Sequence, residues 1–181
     1  MKGYKMIKIQ TPVSEDCIKK LKVGDQIDIS GIIYTGRDAV LPKLAKFSQA
    51  ELEKVKVDIR GGVIFHTAVS PAGIGPTSSN KLEIEGSIGP LSEKGMKIHL
   101  GKGALSIETI DILKKNNAIF AITPPVTALL TAKIISKEVA LFPEEGMEAL
   151  HRLEVIDLPA IVAIAHGKSI FGESGAKLDG K

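Results

Sequence analysis

The chain has 181 residues, 44 % hydrophobic and 25 % charged, the balance of an ordinary globular domain. Its 24 basic and 21 acidic residues leave a net charge of +3, and no lysine run alternates with aromatics, so the pattern gives no reason to expect nucleic acid as a partner. No stretch of about 18 apolar residues is present to span a membrane, and the single cysteine, Cys17, cannot form an internal disulfide or by itself hold a cluster or zinc.

Aromatics make up 4 % and Trp is absent, so the core must be aliphatic. Residues 4–11 alternate apolar and charged side chains, as a half-buried strand does, and Pro12 ends them. Ser14 caps a short helix through Lys20. Gly24–Asp25 turns the chain into the strand Gln26–Tyr34, where Gly31 predicts a bulge or a close backbone approach. A helix is expected over Asp38–Phe47 with Pro42 near its first turn, and Ser48 caps the polar stretch 49–56.

Residues 62–69 read as a buried strand. The stretch 70–80 is dense in Gly, Pro, Ser and Thr and reads as a tight loop that starts a helix near Ser79. A strand over 96–100 leads to Gly101–Lys102–Gly103, and Ser106 caps a helix through Lys115. Ala118–Ile122 is a strand, and Pro124–Pro125 opens a helix to about Ile135. Strands follow over Glu138–Phe142, Leu153–Ile156 and Ala160–Ala165. Strands and helices alternate irregularly, which predicts an α/β domain with a mixed sheet carrying helices. One domain is expected over 1–173, with a frayed polar tail over 174–181. The N-terminus has no apolar run before a cleavage site, so the expected location is cytoplasmic.

Three stretches pair glycine with polar or cationic residues. Thr35–Gly36–Arg37–Asp38 follows a strand, where ligands of open α/β sheets bind, and the Arg37 fork can grip a carboxylate through two parallel bonds. A surface Arg beside a helix-capping Asp fits the same spacing. In Gly73–Ile74–Gly75–Pro76–Thr77–Ser78–Ser79–Asn80–Lys81, Gly75 lets the backbone approach a ligand. The Thr77 and Ser78 hydroxyls at a helix start, with Lys81 one turn on, make an anion site. A plain loop with a Ser/Thr cap is the other reading. Lys102 between two glycines at a strand end can point into a cleft or lie in a surface turn. Arg37, Lys81 and Lys102 together suit a small dianion. His66 and His99 read as core or strand-face histidines, and His151 and His166 as peripheral.

In this order, GRDA, GPTSSNKL, GKG and a terminal LEVIDLPAIVAI resemble the C-terminal domain of class I (iron–sulfur) fumarases and the β subunits of two-subunit fumarases and tartrate dehydratases. The resemblance runs from about residue 7 to about 172. It implies a swivelling β/β/α fold and a β subunit whose α partner holds a four-iron, four-sulfur cluster, the metal lying outside this chain. It implies reversible hydration of fumarate to malate, a partner-dependent activity, and a hetero-oligomer. By the resemblance Arg37 and Lys102 bind substrate carboxylates, Thr77 is the catalytic base, and Ser78, Lys81 and Gly75 bind substrate. Lys81 stands where the family has Arg, Leu41 where its ARDxAH motif ends in His, and Ala165 where an Asp is usual. A tartrate or related hydroxy-diacid dehydratase β subunit is the alternative within the class. A non-catalytic dicarboxylate-binding or regulatory module is the alternative outside it.

Overall fold

The computed structural model describes residues 6–75 and 81–172. The alternating segment forms strand β1 (Ile7–Gln10), and helix α1 (Glu15–Lys20) starts where the Ser14 side chain accepts from the Cys17 N–H. Strand β2 (Gln26–Gly36) bulges at Gly31, whose φ is +105°. A Cβ at Gly31 would lie 2.3 Å from Thr11 Oγ1, so the bulge and the close approach occur together.

Helix α2 spans Leu41–Lys46, not Asp38–Phe47. Residues 37–40 form a turn, with the Val40 and Leu41 N–H groups donating to the Arg37 carbonyl, and Pro42 sits in the first helical turn. Ser48 and Glu51 form a reciprocal capping box on α3 (Gln49–Lys54). Strand β3 (Gly62–His66), helix α4 (Lys81–Glu93), strand β4 (Met96–Gly101), helix α5 (Ile107–Lys115) and strand β5 (Ile119–Ile122) follow.

Helix α6 (Thr127–Thr131) stops short of the expected Ile135. Residues from Ile134 onward pair instead with a later strand, forming β6 (Ile134–Leu141). A 3-10 segment, Pro143–Glu148, leads into β7, which runs unbroken from Leu150 to Ala165 where two strands were expected. Pro159 does not break it. The ladder with β6 ends at Val155, the one with β5 begins at Ile161, and Pro159 lies in the gap between them. A two-residue strand, β8 (Lys168–Ser169), hairpins back onto it.

Strands β2, β3, β4 and β5 are parallel, and β7 runs antiparallel to both β2 and β5. The sheet therefore closes into a ring, β2–β3–β4–β5–β7–β2, with β1 and β6 attached outside it. The fold is α/β with a mixed sheet. One aliphatic cluster, with Ile29, Ile33, Phe65, Ile98, Ile119, Leu153 and Val162 among its members, packs one side of these strands. On the other side, α2 and α3 cover β2 and β3, while α4 and α5 cover β4 and β5.

Phe65 is fully buried in the first cluster. Phe65→Ala is expected to lower unfolding free energy by about 3–5 kcal/mol, through lost burial and a residual cavity. Urea denaturation should show a lower midpoint at an unchanged slope.

Candidate functional site

The parallel registers align the last residues of four strands. Gly36 pairs with His66, Phe65 with Leu100 and Gly101 with Ile122, so Gly36, His66, Gly101 and Ile122 form one row. The residues one step further are Arg37, Thr67, Lys102 and Thr123. Two cations thus alternate with two hydroxyls along the carboxyl edge of the sheet. Arg37 and Lys102 follow strands separated only by β3, an axis-to-axis distance of about 10 Å. Lys102 is exposed and the Arg37 side chain is 21 % exposed. Arg37 Nη1 lies 3.5 Å from the Glu148 carboxylate, so this guanidinium is already in reach of an oxyanion.

The loop after β3 returns to the same edge. Thr67 Oγ1 donates to the Gly75 carbonyl at 2.6 Å. Ser70 and Gly73 exchange two backbone hydrogen bonds, and the Ile74 N–H donates to Thr131 Oγ1 at 3.1 Å. A Cβ at Gly73 would fall 1.9 Å from Thr131 Oγ1, and one at Gly75 would fall 2.6 Å from Thr127 Oγ1. Both glycines therefore let the loop lie against α6. Thr77 and Ser78 lie outside the described residues, as does the side chain of Lys81, whose backbone opens α4.

Polar atoms buried without a hydrogen-bond partner concentrate here. Thr35 Oγ1, His66 Nδ1 and Thr123 Oγ1 all lie at this end of the strands. Each costs about 1–3 kcal/mol, and such groups in a folded protein call for an explanation, function among them. His66 Nε2 lies 3.2 Å from His99 Nδ1, and His99 Nε2 lies 2.9 Å from Ser92 Oγ of α4. Burial pushes the His66 imidazole down to about 4. Burial, and then its neighbour His66, holds His99 well below the usual histidine range. Both rings are core residues, as their apolar strand context implies. His151, expected at the periphery, is buried, with Nδ1 2.9 Å from the Ala149 carbonyl, because β7 continues through it.

A second polar cluster gives no sign in the sequence. The Glu85 carboxylate of α4 accepts from the Ser106 N–H at 3.1 Å and from the Ser106 and Thr109 hydroxyls. Ser106 is at once the N-cap of α5. The partners are 21 and 24 residues from Glu85, beyond the range of any local capping pattern.

The residues present do not fit a chain-borne cluster. Iron–sulfur clusters need several thiolates, and the one thiol, Cys17, sits half-buried on α1 with its pKa raised by burial. Among the described residues, no three His, Cys, Asp or Glu side chains gather to hold a metal. None of the described helices is long and apolar enough to cross a membrane.

The domain is α/β, and the carboxyl edge of its sheet carries cationic and hydroxyl side chains. The chain belongs to the family described as Fumarase C-terminus, whose model matches residues 1–174. It is 31 % identical to a Geobacillus stearothermophilus protein named as a class I fumarate hydratase, over 92 % of this chain and 34 % of the relative. It is also 31 % identical to a Methanocaldococcus jannaschii protein named as an L(+)-tartrate dehydratase subunit beta, over 89 % of each. The L(+)-tartrate dehydratase subunit beta of Escherichia coli is 27 % identical over 92 % of this chain and 87 % of the relative. The chain thus spans about a third of the fumarate hydratase and most of the two beta subunits.

The two buried imidazoles make stability pH-dependent. A histidine whose pKa is depressed by folding takes up its proton more readily when unfolded, so its contribution is complete above about 6.5 and is lost as pH falls toward about 4. His66 alone should cost about 3 kcal/mol across that window. Urea midpoints at pH 7, 5.5 and 4.5 should fall in that order, the step from 7 to 5.5 preceding the loss linked to the lowered carboxylates Glu51 and Asp58.

Proposed function

We propose that this chain is the β subunit of a two-subunit iron–sulfur hydro-lyase that interconverts fumarate and malate. The observation that carries the reading is the shared edge: Arg37 and Lys102 leave parallel strands separated by a single strand, in the same direction. The Arg37 fork takes one carboxylate of the diacid by paired hydrogen bonds, and the Lys102 ammonium takes the other as a point charge. Lys81 adds a third positive charge. Thr77 and Ser78 orient the substrate through their hydroxyls, with Gly75 leaving the backbone close to it. In the dehydration direction Thr77 takes the proton from carbon as its alkoxide, formed when its hydroxyl proton passes to water, and in hydration the resulting hydroxyl returns that proton to carbon; three cations stabilise the alkoxide.

The four-iron, four-sulfur cluster belongs to the α partner, since one thiol cannot hold it. This chain's part is to bind, orient and receive the proton, and alone it is inactive. The protein is a cytoplasmic hetero-oligomer in this reading. L-tartrate or a related hydroxy-diacid is the second substrate assignment. What favours it is coverage: the chain matches nearly the whole of two tartrate dehydratase beta subunits but a third of the fumarate hydratase.

Co-expression with a cluster-bearing partner, oxygen-free reconstitution, and assays on fumarate, malate and L-tartrate test the reading. The assembly should hydrate fumarate and the lone chain should not. Arg37→Ala and Lys102→Ala should each lower kcat/KM by about 10–100-fold, because each strands a substrate charge. Turnover of L-tartrate alone would transfer the assignment to the second substrate. Diacid binding without turnover in any assembly would make the chain a non-catalytic module. Normal turnover in both variants would remove Arg37 and Lys102 from the site.

A further inference from the structure

The segment carrying Lys102 is short and pinned at both ends. Gly101 is fixed in the β4–β5 ladder opposite Ile122. Five residues later, Ser106 is gripped by the Glu85 carboxylate through its N–H, at 3.1 Å, and through its hydroxyl. Thr109, one turn into α5, gives its hydroxyl to the same carboxylate. Between the anchors, Gly103 turns sharply at φ +83°, and Leu105 is buried in a cluster with Ile88 of α4. Glu85 and Ile88, three apart on one helix, lie on the same face, so α4 holds this loop by a carboxylate and a hydrophobic side chain together. A loop this short with both ends fixed has few conformations left.

Helix α4 begins at Lys81, three residues after Ser78 in the sequence, and Glu85 is one turn beyond that start. The carboxylate therefore ties the first turns of α4 to the loop bearing Lys102. Charged acceptors bound by several donors are strong and directional, so the tie fixes orientation as well as distance.

We infer that Glu85 is a positioning residue for the diacid site proposed above, and rests on that reading: by clamping the N-cap of α5 to the first turns of α4, it sets where Lys102 meets the second carboxylate of the ligand. Glu85 acts through Lys102 and does not touch the ligand.

The test is a double-variant cycle on the assembled two-subunit protein. The readout is the dissociation constant of succinate, a four-carbon diacid that cannot be hydrated, measured by calorimetry. Glu85→Gln should weaken succinate binding about tenfold when Lys102 is present, and less than twofold in the Lys102→Ala background. A carboxylate with a merely structural role would weaken binding by the same factor in both backgrounds, and that result, or no loss in either, overturns the inference. Should Glu85→Gln fail to fold, Ser106→Ala with Thr109→Val removes the clamp's hydroxyl donors from the other side and must give the same non-additivity. Amide exchange at position 106 should accelerate in every variant that breaks the clamp and stay unchanged in Lys102→Ala. If the unaltered assembly binds no succinate, the diacid site itself falls and the inference with it. If it binds and the cycle is additive, only the role of Glu85 falls.

Discussion

Strand β7 pairs with β2 from Leu158 to Ile161 and again from His151 to Val155, while its other side holds β6 and then β5. This long antiparallel ladder joins the two ends of the parallel set and turns an open sheet into a ring. Closure removes two exposed sheet edges and fixes the tilt of β2 through β5 against one another. The carboxyl ends of those strands are consequently held in a defined row. The bulge at Gly31 bends β2, and the gap around Pro159 lets β7 change partners between β6 and β5.

The candidate site depends on that row. Its cations sit on loops, but each loop leaves a strand that is paired on both sides, so the loop bases are rigid where the tips are exposed. Glycines at 36 and 101 serve packing. A Cβ at Gly36 would meet Leu41 at 2.7 Å, and one at Gly101 would meet the Phe120 ring at 3.1 Å. The GRDA and GKG stretches therefore combine tight helix-to-sheet and ring contacts with a charged residue at the next position. Beneath them, the His66–His99–Ser92 chain joins β3, β4 and α4 through neutral imidazoles, adding direction to an otherwise aliphatic layer.

Nothing in this arrangement needs the chain to carry the whole reaction. In the function proposed above, the domain supplies cationic and hydroxyl groups to a site whose cluster thiolates come from the partner. The coverage of the beta-subunit relatives and the third-length match to a fumarate hydratase fit the same domain used as a separate chain and as part of a longer one.

Local chemistry was legible in the sequence. Ser14, Ser48 and Ser106 cap their helices because a hydroxyl three residues before an N–H needs no distant partner. Strand identity followed from alternation and β-branching, and the mixed α/β class from the order of elements. Arg37 and Lys102 could be placed at strand ends from their flanking glycines. Tertiary pairing decided the rest. Residues 134–135 are strand, not helix, because β7 offers them a ladder. Leu150–Ala165 is one strand because the Pro159 gap exists only once both neighbours are in place. That Arg37 and Lys102 share an edge with one strand between them depends on strand order, which hydrophobic periodicity does not encode. The Glu85 clamp spans 21 residues. A carboxylate and an N-cap that far apart meet only when α4 and α5 pack on the same side of the sheet.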